Sequence, residues 1–175
     1  MEIGLKSKGP DGTLCFKIPD RSDIAQVVRF INDEHARSGA VLPVSKDDVA
    51  GWVNEGNSII ALNGKGEIKA HQAVSLWPIT EIFEFRSAVV APENRKQGVN
   101  YWMKRLMIEE IVQRSEKDVV RIISLKNGKS GGSGTLKALG FGIIPKHEIP
   151  KEMLSIGGEQ EWKAYMLTIT KECRR

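Results

Sequence analysis

A chain of 175 residues and 19.4 kDa is long enough for one compact domain with a proper core and short for two. Its 41% apolar, 27% charged and 6% aromatic residues lie in the globular range and exclude extensive disorder. The net charge of +4 suits an anionic ligand, but 26 basic residues are interleaved with 22 acids, which argues against a nucleic-acid-binding stripe.

The first element is the apolar run LCFKI, residues 14 to 18, a strand closed by Pro19. Asp20, Ser22 and Asp23 are capping candidates for a helix in which Ile24, Val27, Val28 and Ile31 recur at helical spacing, ending near Gly39. Ser45 with Asp47 and Asp48 opens a shorter helix through Val49, Trp52 and Val53, stopped by Gly56. NSIIAL and EIKAHQAVSL then form a hairpin around Asn63, Gly64, Lys65 and Gly66, residues that tolerate positive φ. After the turn at Trp77 to Ile79, EIFEFRSAVVAP completes a meander closed by Pro92.

From Gly98 to about Arg114 the pattern is helical, with Val99, Trp102, Met103, Leu106, Met107 and Ile111 on one face. A strand VVRIIS, a loop LKNGKSGGSG, a short helix TLKAL, a strand GFGII and a last strand EWKAYMLTI follow. No repeat or interdomain linker interrupts this order, so residues 1–175 read as one domain with its core at about 14–170.

Cys15 and Cys173 lack metal-ligand spacing, so two reduced thiols and no metal site are expected. The opening MEIGLKSKGPDG lacks the apolar core of a signal peptide, and no segment approaches the roughly 20 apolar residues of a membrane span. The expectation is a cytoplasmic protein without a membrane partner. Lys129 and Ser130 follow Gly128, but Ile123 stands where a nucleoside-triphosphate loop needs its earlier glycine.

The stretch PENRKQGVNYWMKR puts Arg95, Lys96, Gln97 and Gly98 at a helix start, where a Ser, Thr, Asp or Asn cap is usual. A helix start carries up to four unpaired N–H groups and the positive end of the dipole. Two readings stay open here: a solvated basic turn, or a cradle for a diphosphate, with Gly98 allowing close approach and Arg95 and Lys96 offsetting phosphate charge.

VAPENRKQGVN, with the LGFGII that follows about 40 residues later, resembles the two coenzyme-side motifs of the GCN5-related N-acetyltransferase superfamily. Arg95 and Gly98 match the first; Asn100 stands where a small residue is usual. LWPITEIFEFRSAVVAPENRKQG and LGFGIIPKHEIP are also similar, less closely, to the acetyltransferase domain of N-acetylglutamate synthases and related amino-acid acetyltransferases. That subgroup's basic residue before the second helix is replaced by Pro43 and Val44.

The resemblance implies an α/β (α+β) domain: a mixed, mostly antiparallel twisted sheet of about 6–7 strands with about 4 helices on both faces. It implies acetyl-CoA as co-substrate, direct attack by an amine, and no metal. Gln97, Gly98, Val99, Asn100 and Tyr101 should surround the pyrophosphate with Lys96 adding charge. Ala88, Val89 and Val90 should pair with pantetheine, and the Val90 N–H should polarise the thioester.

Strand alternation places Glu84, Arg86, Ala88 and Val90 on one face and Phe83, Phe85, Ser87 and Val89 on the other. Glu84 and Arg86 form either a structural ion pair or, respectively, a general base and a carboxylate anchor. His71 reads either as a packing or surface histidine, the commoner case on a strand, or as a second candidate base that could titrate near neutrality. Leu136 holds the position where many members of the superfamily carry a Tyr that protonates the departing thiolate; water or Tyr165 could replace it, though Tyr165 reads first as a core or edge residue of the last strand.

The expected function is N-acetylation of a small, carboxylate-bearing amine such as an amino acid. A catalytically weak acyl-CoA-binding or regulatory module, and a protein or transfer-RNA acetyltransferase, are the alternatives. A homodimer stays open.

Overall fold

The computed structural model describes residues 7–8, 13–127, 133–154 and 162–171. Cys173 and the Lys129–Ser130 pair lie outside them. Among the described residues no helix is long and apolar enough to cross a membrane.

Among the described residues eight strands form one sheet. In chain order they are β1 (Ser7–Lys8), β2 (Cys15–Lys17), β3 (Ser58–Leu62), β4 (Ile68–Trp77), β5 (Ile82–Val90), β6 (Val119–Asn127), β7 (Gly142–Ile144) and β8 (Trp162–Thr170). Their spatial order is β1-β2-β3-β4-β5-β6-β8-β7, and every pairing is antiparallel except β5 with β6. The expected mixed, mostly antiparallel sheet is therefore present. Its extra strand is the two-residue β1, too short for any periodicity to reveal.

Among the described residues five α-helices accompany the sheet: α1 (Ile24–Ser38), α2 (Lys46–Asn54), α3 (Val99–Arg114), α4 (Ser133–Ala138) and α5 (Lys151–Leu154), the last unforeseen at four residues. The second helix starts as expected: Ser45 accepts the Asp48 N–H and Asp48 accepts the Ser45 N–H, a capping box. Asp23 precedes α1 without capping it, because its carboxylate takes the Asp20 N–H at 2.8 Å and an ion pair to Lys17 at 2.7 Å. Gly39 ends α1 with φ of 60° and returns its N–H to His35.

Apolar clusters lie on the sheet's two faces. One joins Phe16, Val74 and Phe85 to Met103 and Met107 of α3 and Leu136 of α4. Another joins Val27 and Ile31 of α1 and Trp52 of α2 to Ile60, Ala73 and Val89. A third sets Met153 of α5 against Ile82, Ile123 and Ala164. The α3 face holds one surprise: Trp102 is only partly buried, whereas Lys104 is enclosed.

Candidate active site at the gap between β5 and β6

The parallel β5–β6 ladder covers Ile82 to Phe85 against Arg121 to Ser124 and then stops. Beyond it β5 continues to Val90 alongside β4 alone, while β6 continues to Asn127 alongside β8. The two strands part and leave a gap in the middle of the sheet. The Ala91 N–H bonds Lys69 O at 2.8 Å, so by antiparallel alternation the neighbouring Val90 N–H faces away from β4 and into that gap. Consistently, the Val90 carbonyl is free of β4 and accepts from Arg95 Nε at 3.0 Å.

A bulge shapes the same segment. His71 pairs with Val89 and Ala73 with Arg86, which leaves Gln72 opposite both Ser87 and Ala88, and Ser87 takes φ of 48°. Side chains from β4 replace the missing ladder bonds: His71 Nδ1 donates to Ser87 O at 3.0 Å and Gln72 Nε2 to Arg86 O at 2.8 Å. The extra residue reverses the simple alternation. Phe85 and Val90 share the α3 face, while Val89 joins the α1–α2 cluster, so Val90 and Glu84 are not on one face as the sequence suggested.

His71 does not titrate near neutrality. Its ring is fully buried, Nδ1 is committed to a carbonyl, Nε2 accepts from the Ser58 hydroxyl at 2.9 Å, and burial pushes its pKa to about 4. It packs against Trp52 as a neutral strut under the bulge.

The turn after β5 leads directly to α3. A 3-10 turn, Pro92–Asn94, is followed by two left-handed residues, Lys96 at φ 63° and Gly98 at φ 77°. Gly98 is the N-cap of α3 and no side chain caps it, so the first-turn N–H groups keep no side-chain partner. Gln97 bonds back to Glu93 O at 2.9 Å. Arg95 is occupied differently from expectation: besides Val90 O, it reaches the buried Glu34 of α1 at 2.7 Å and ties the turn to that helix. Lys96 remains exposed at the mouth. Asn94 and Asn100 each bury a side-chain amide oxygen without a partner, acceptors of the kind that pantetheine or adenine N–H groups need. Val99 is buried in the core below the cradle, and Tyr101 meets Trp102 edge to face.

On the α1–α2 face the gap starts beside a polar cluster. Glu84 Oε2 accepts from Arg86 Nη2 at 2.8 Å, Arg86 Nε at 3.0 Å and Trp77 Nε1 at 2.7 Å. Arg86 lies over the Trp77 ring and keeps about a quarter of its side chain exposed, 27%. Its charge also reaches Asp48 of α2, whose carboxyl is held low mainly by the Ser45 hydroxyl and N–H. Asn32 clamps the backbone of Val44 through both N–H and C=O, closing the loop between α1 and α2 over this side. Glu84 and Arg86 thus form the ion pair, with Arg86 in part exposed.

On the α3 face lie two residues that sequence reasoning missed. Gln72 is buried, and its Oε1 accepts from Lys104 Nζ at 2.7 Å. A lysine at a buried helical position amid Met103, Leu106 and Met107 was the available signal. Leu136 and Tyr165 are both buried in the adjoining cluster.

The fold is similar to that of GCN5-related N-acetyltransferases. Solved structures agree. The chain is similar to N-acetylglutamate synthase from Neisseria gonorrhoeae complexed with coenzyme A and N-acetyl-glutamate, with a TM-score of 0.72 and 14% identity over 90% of this chain and 35% of that one. It is similar to a GNAT-family acetyltransferase from Staphylococcus aureus Mu50, with a TM-score of 0.67 and 13% identity over 89% and 98% of the two chains. A third is diaminobutyrate acetyltransferase from Paenibacillus lautus in complex with L-2,4-diaminobutyric acid and coenzyme A, with a TM-score of 0.62 and 14% identity over 90% and 94%. No family model matches the sequence, and comparison with curated protein sequences finds no match.

Proposed function

We propose that the protein is an acetyl-CoA-dependent N-acetyltransferase acting on a small amine that carries a carboxylate. The observation that carries this reading is the gap itself. It exposes the Val90 N–H beside a bulge and runs to the uncapped start of α3, so an extended pantetheine can take the place of a missing strand while its diphosphate meets free N–H groups. The solved neighbours that hold coenzyme A support it.

Acetyl-CoA supplies the activated acyl group. The protein's own contributions follow from geometry. Gly98, Val99, Asn100 and Tyr101 present backbone N–H groups at the helix start, with Gln97 and Lys96 at its mouth. Ala88 lies in the bulge and Val89 follows it, and the Val90 N–H donates to the thioester oxygen, where charge develops. Arg86 anchors the acceptor's carboxylate from the α1–α2 face, and its amine approaches through the gap. Glu84 holds Arg86 in place and is the candidate base for that amine, directly or through water. His71 takes no proton in this reading and braces the bulge.

Thiol release from acetyl-CoA, followed with L-glutamate, L-2,4-diaminobutyrate and amines lacking a carboxylate, tests the proposal. Turnover confined to the carboxylate-bearing amines is expected. Coenzyme A binding without thiol release above background for any amine identifies an acyl-CoA-binding module instead. That second reading has one observation in its favour, the three donors that already occupy Glu84 Oε2.

A further inference from the structure

The α3 face of the gap buries a cation that packing does not require. Lys104 is 2% exposed; its Nζ donates to Gln72 Oε1 and lies 4.2 Å from the centre of the Phe85 ring. Gln72 cannot turn away, because its Nε2 is bonded to the carbonyls of Ala73 at 2.6 Å and Arg86 at 2.8 Å. Phe85 is the last β5 residue paired with β6, so the lysine nitrogen sits where the two strands part. An amine or ammonium in such a place is costly, and methionine fills the same volume without that cost.

The charged and titratable groups around it narrow its role. Lys126 of β6, two residues past the end of the β5–β6 ladder, is half-buried and repels it; burial first, then Lys126, bring Lys104 to about 7. From β4 it meets the neutral Gln72, and from β5 the Phe85 ring. Asn100, one helical turn earlier, is neutral, and Tyr165 of β8 belongs to the same cluster as Phe85. Among these described neighbours no carboxylate faces Lys104. A lysine so placed complements a negative charge that appears in the gap during reaction. Leu136, packed in the same cluster, offers no proton to such a charge.

Resting on the acetyl-CoA reading, we propose that Lys104 is the proton donor to the sulfur of departing coenzyme A, held for that purpose by Gln72. The acceptor nitrogen bonds to the acyl carbon, the carbon–sulfur bond breaks with its electron pair leaving on sulfur, and the Lys104 ammonium passes one proton to that sulfur. The proton shed by the acceptor amine returns to Lys104 through solvent, so neither charge nor proton accumulates.

Calorimetric binding of coenzyme A and desulfo-coenzyme A at pH 8 tests this without any acceptor. The wild-type protein is expected to bind coenzyme A about tenfold more tightly, as a charge-assisted hydrogen bond to sulfur allows. In Lys104→Met the preference disappears while desulfo-coenzyme A binds as before. Lys104→Arg keeps a cation and retains the preference, with turnover reduced because arginine does not release its proton. The ultraviolet absorbance of the bound thiolate should titrate at lower pH in the wild type than in Lys104→Met. Equal wild-type affinities for the two ligands overturn the Lys104 role and leave the cofactor reading standing. Loss of the preference in Tyr165→Phe instead of Lys104→Met assigns the donor to Tyr165 and overturns it too. Failure of the wild type to bind either ligand removes the cofactor reading and this one together. The wild-type comparison needs no variant, so a Lys104→Met chain that does not fold leaves the test intact.

Discussion

His71 shows how one side chain can brace a site without reacting in it. Its imidazole is neutral in the fold with a pKa of about 4, against 6.5 in the open chain. Between those values the unfolded state binds a proton that the native state refuses. The stabilisation is full above pH 6.5 and is lost as pH falls through the window toward 4, by on the order of 3 kcal/mol. Denaturant unfolding at pH 7 and pH 4.5 measures it; His71→Gln should flatten the difference, and an unchanged pH slope in that variant assigns the effect elsewhere. Arg86 makes a separate prediction. If it anchors the acceptor, Arg86→Gln raises KM for the carboxylate-bearing amine at least tenfold and leaves KM for acetyl-CoA within about twofold. Equal changes in both constants contradict the assignment.

At the scale of elements, the turn from β5 into α3 was legible because its signal is local. A helix start without a capping side chain, with Gly98 at the position that needs positive φ, can be read from composition alone, and Gly98 indeed stands at φ 77° with no cap bond. The same holds for the Ser45 capping box and the Asn63 hairpin, whose turn is closed by Asn63 Oδ1 accepting from Lys65 and Glu67. The bulge was not legible. Period-2 reasoning assumes an unbroken ladder, and nothing in RSAVV states that Ser87 and Ala88 share one partner; Gln72 and His71 supply the bonds that make it stable, and they lie on another strand. The bond from Arg95 to Glu34 was hidden for the same reason, since Glu34 is 61 residues away in sequence. Gly98→Ala tests the turn directly: a Cβ meets no clash, but the conformation costs about 1 kcal/mol or more, and coenzyme A affinity should fall severalfold. Unchanged affinity and stability show that the left-handed cap is not required.

Across the whole molecule, two sheet halves meet through a short parallel ladder between Ile82–Phe85 and Arg121–Ser124, with apolar clusters on both faces. A ligand that fills the gap adds backbone pairing where the sheet has none, so binding should stabilise the domain as a unit. At a free concentration about 100 times its Kd, acetyl-CoA should contribute about 2.7 kcal/mol to unfolding stability in a single cooperative transition. Separate melting of the halves contradicts that picture.

Backbone amide NMR tests the central claim most directly. On addition of acetyl-CoA, the Val90 N–H, which faces the gap, and the Gly98 to Tyr101 N–H groups at the start of α3 should show the largest shifts, while the Ala91 N–H, bonded to Lys69, should move little. Shifts confined to other surfaces, with Val90 and Gly98 unmoved, contradict the assignment of the gap as the acetyl-CoA site.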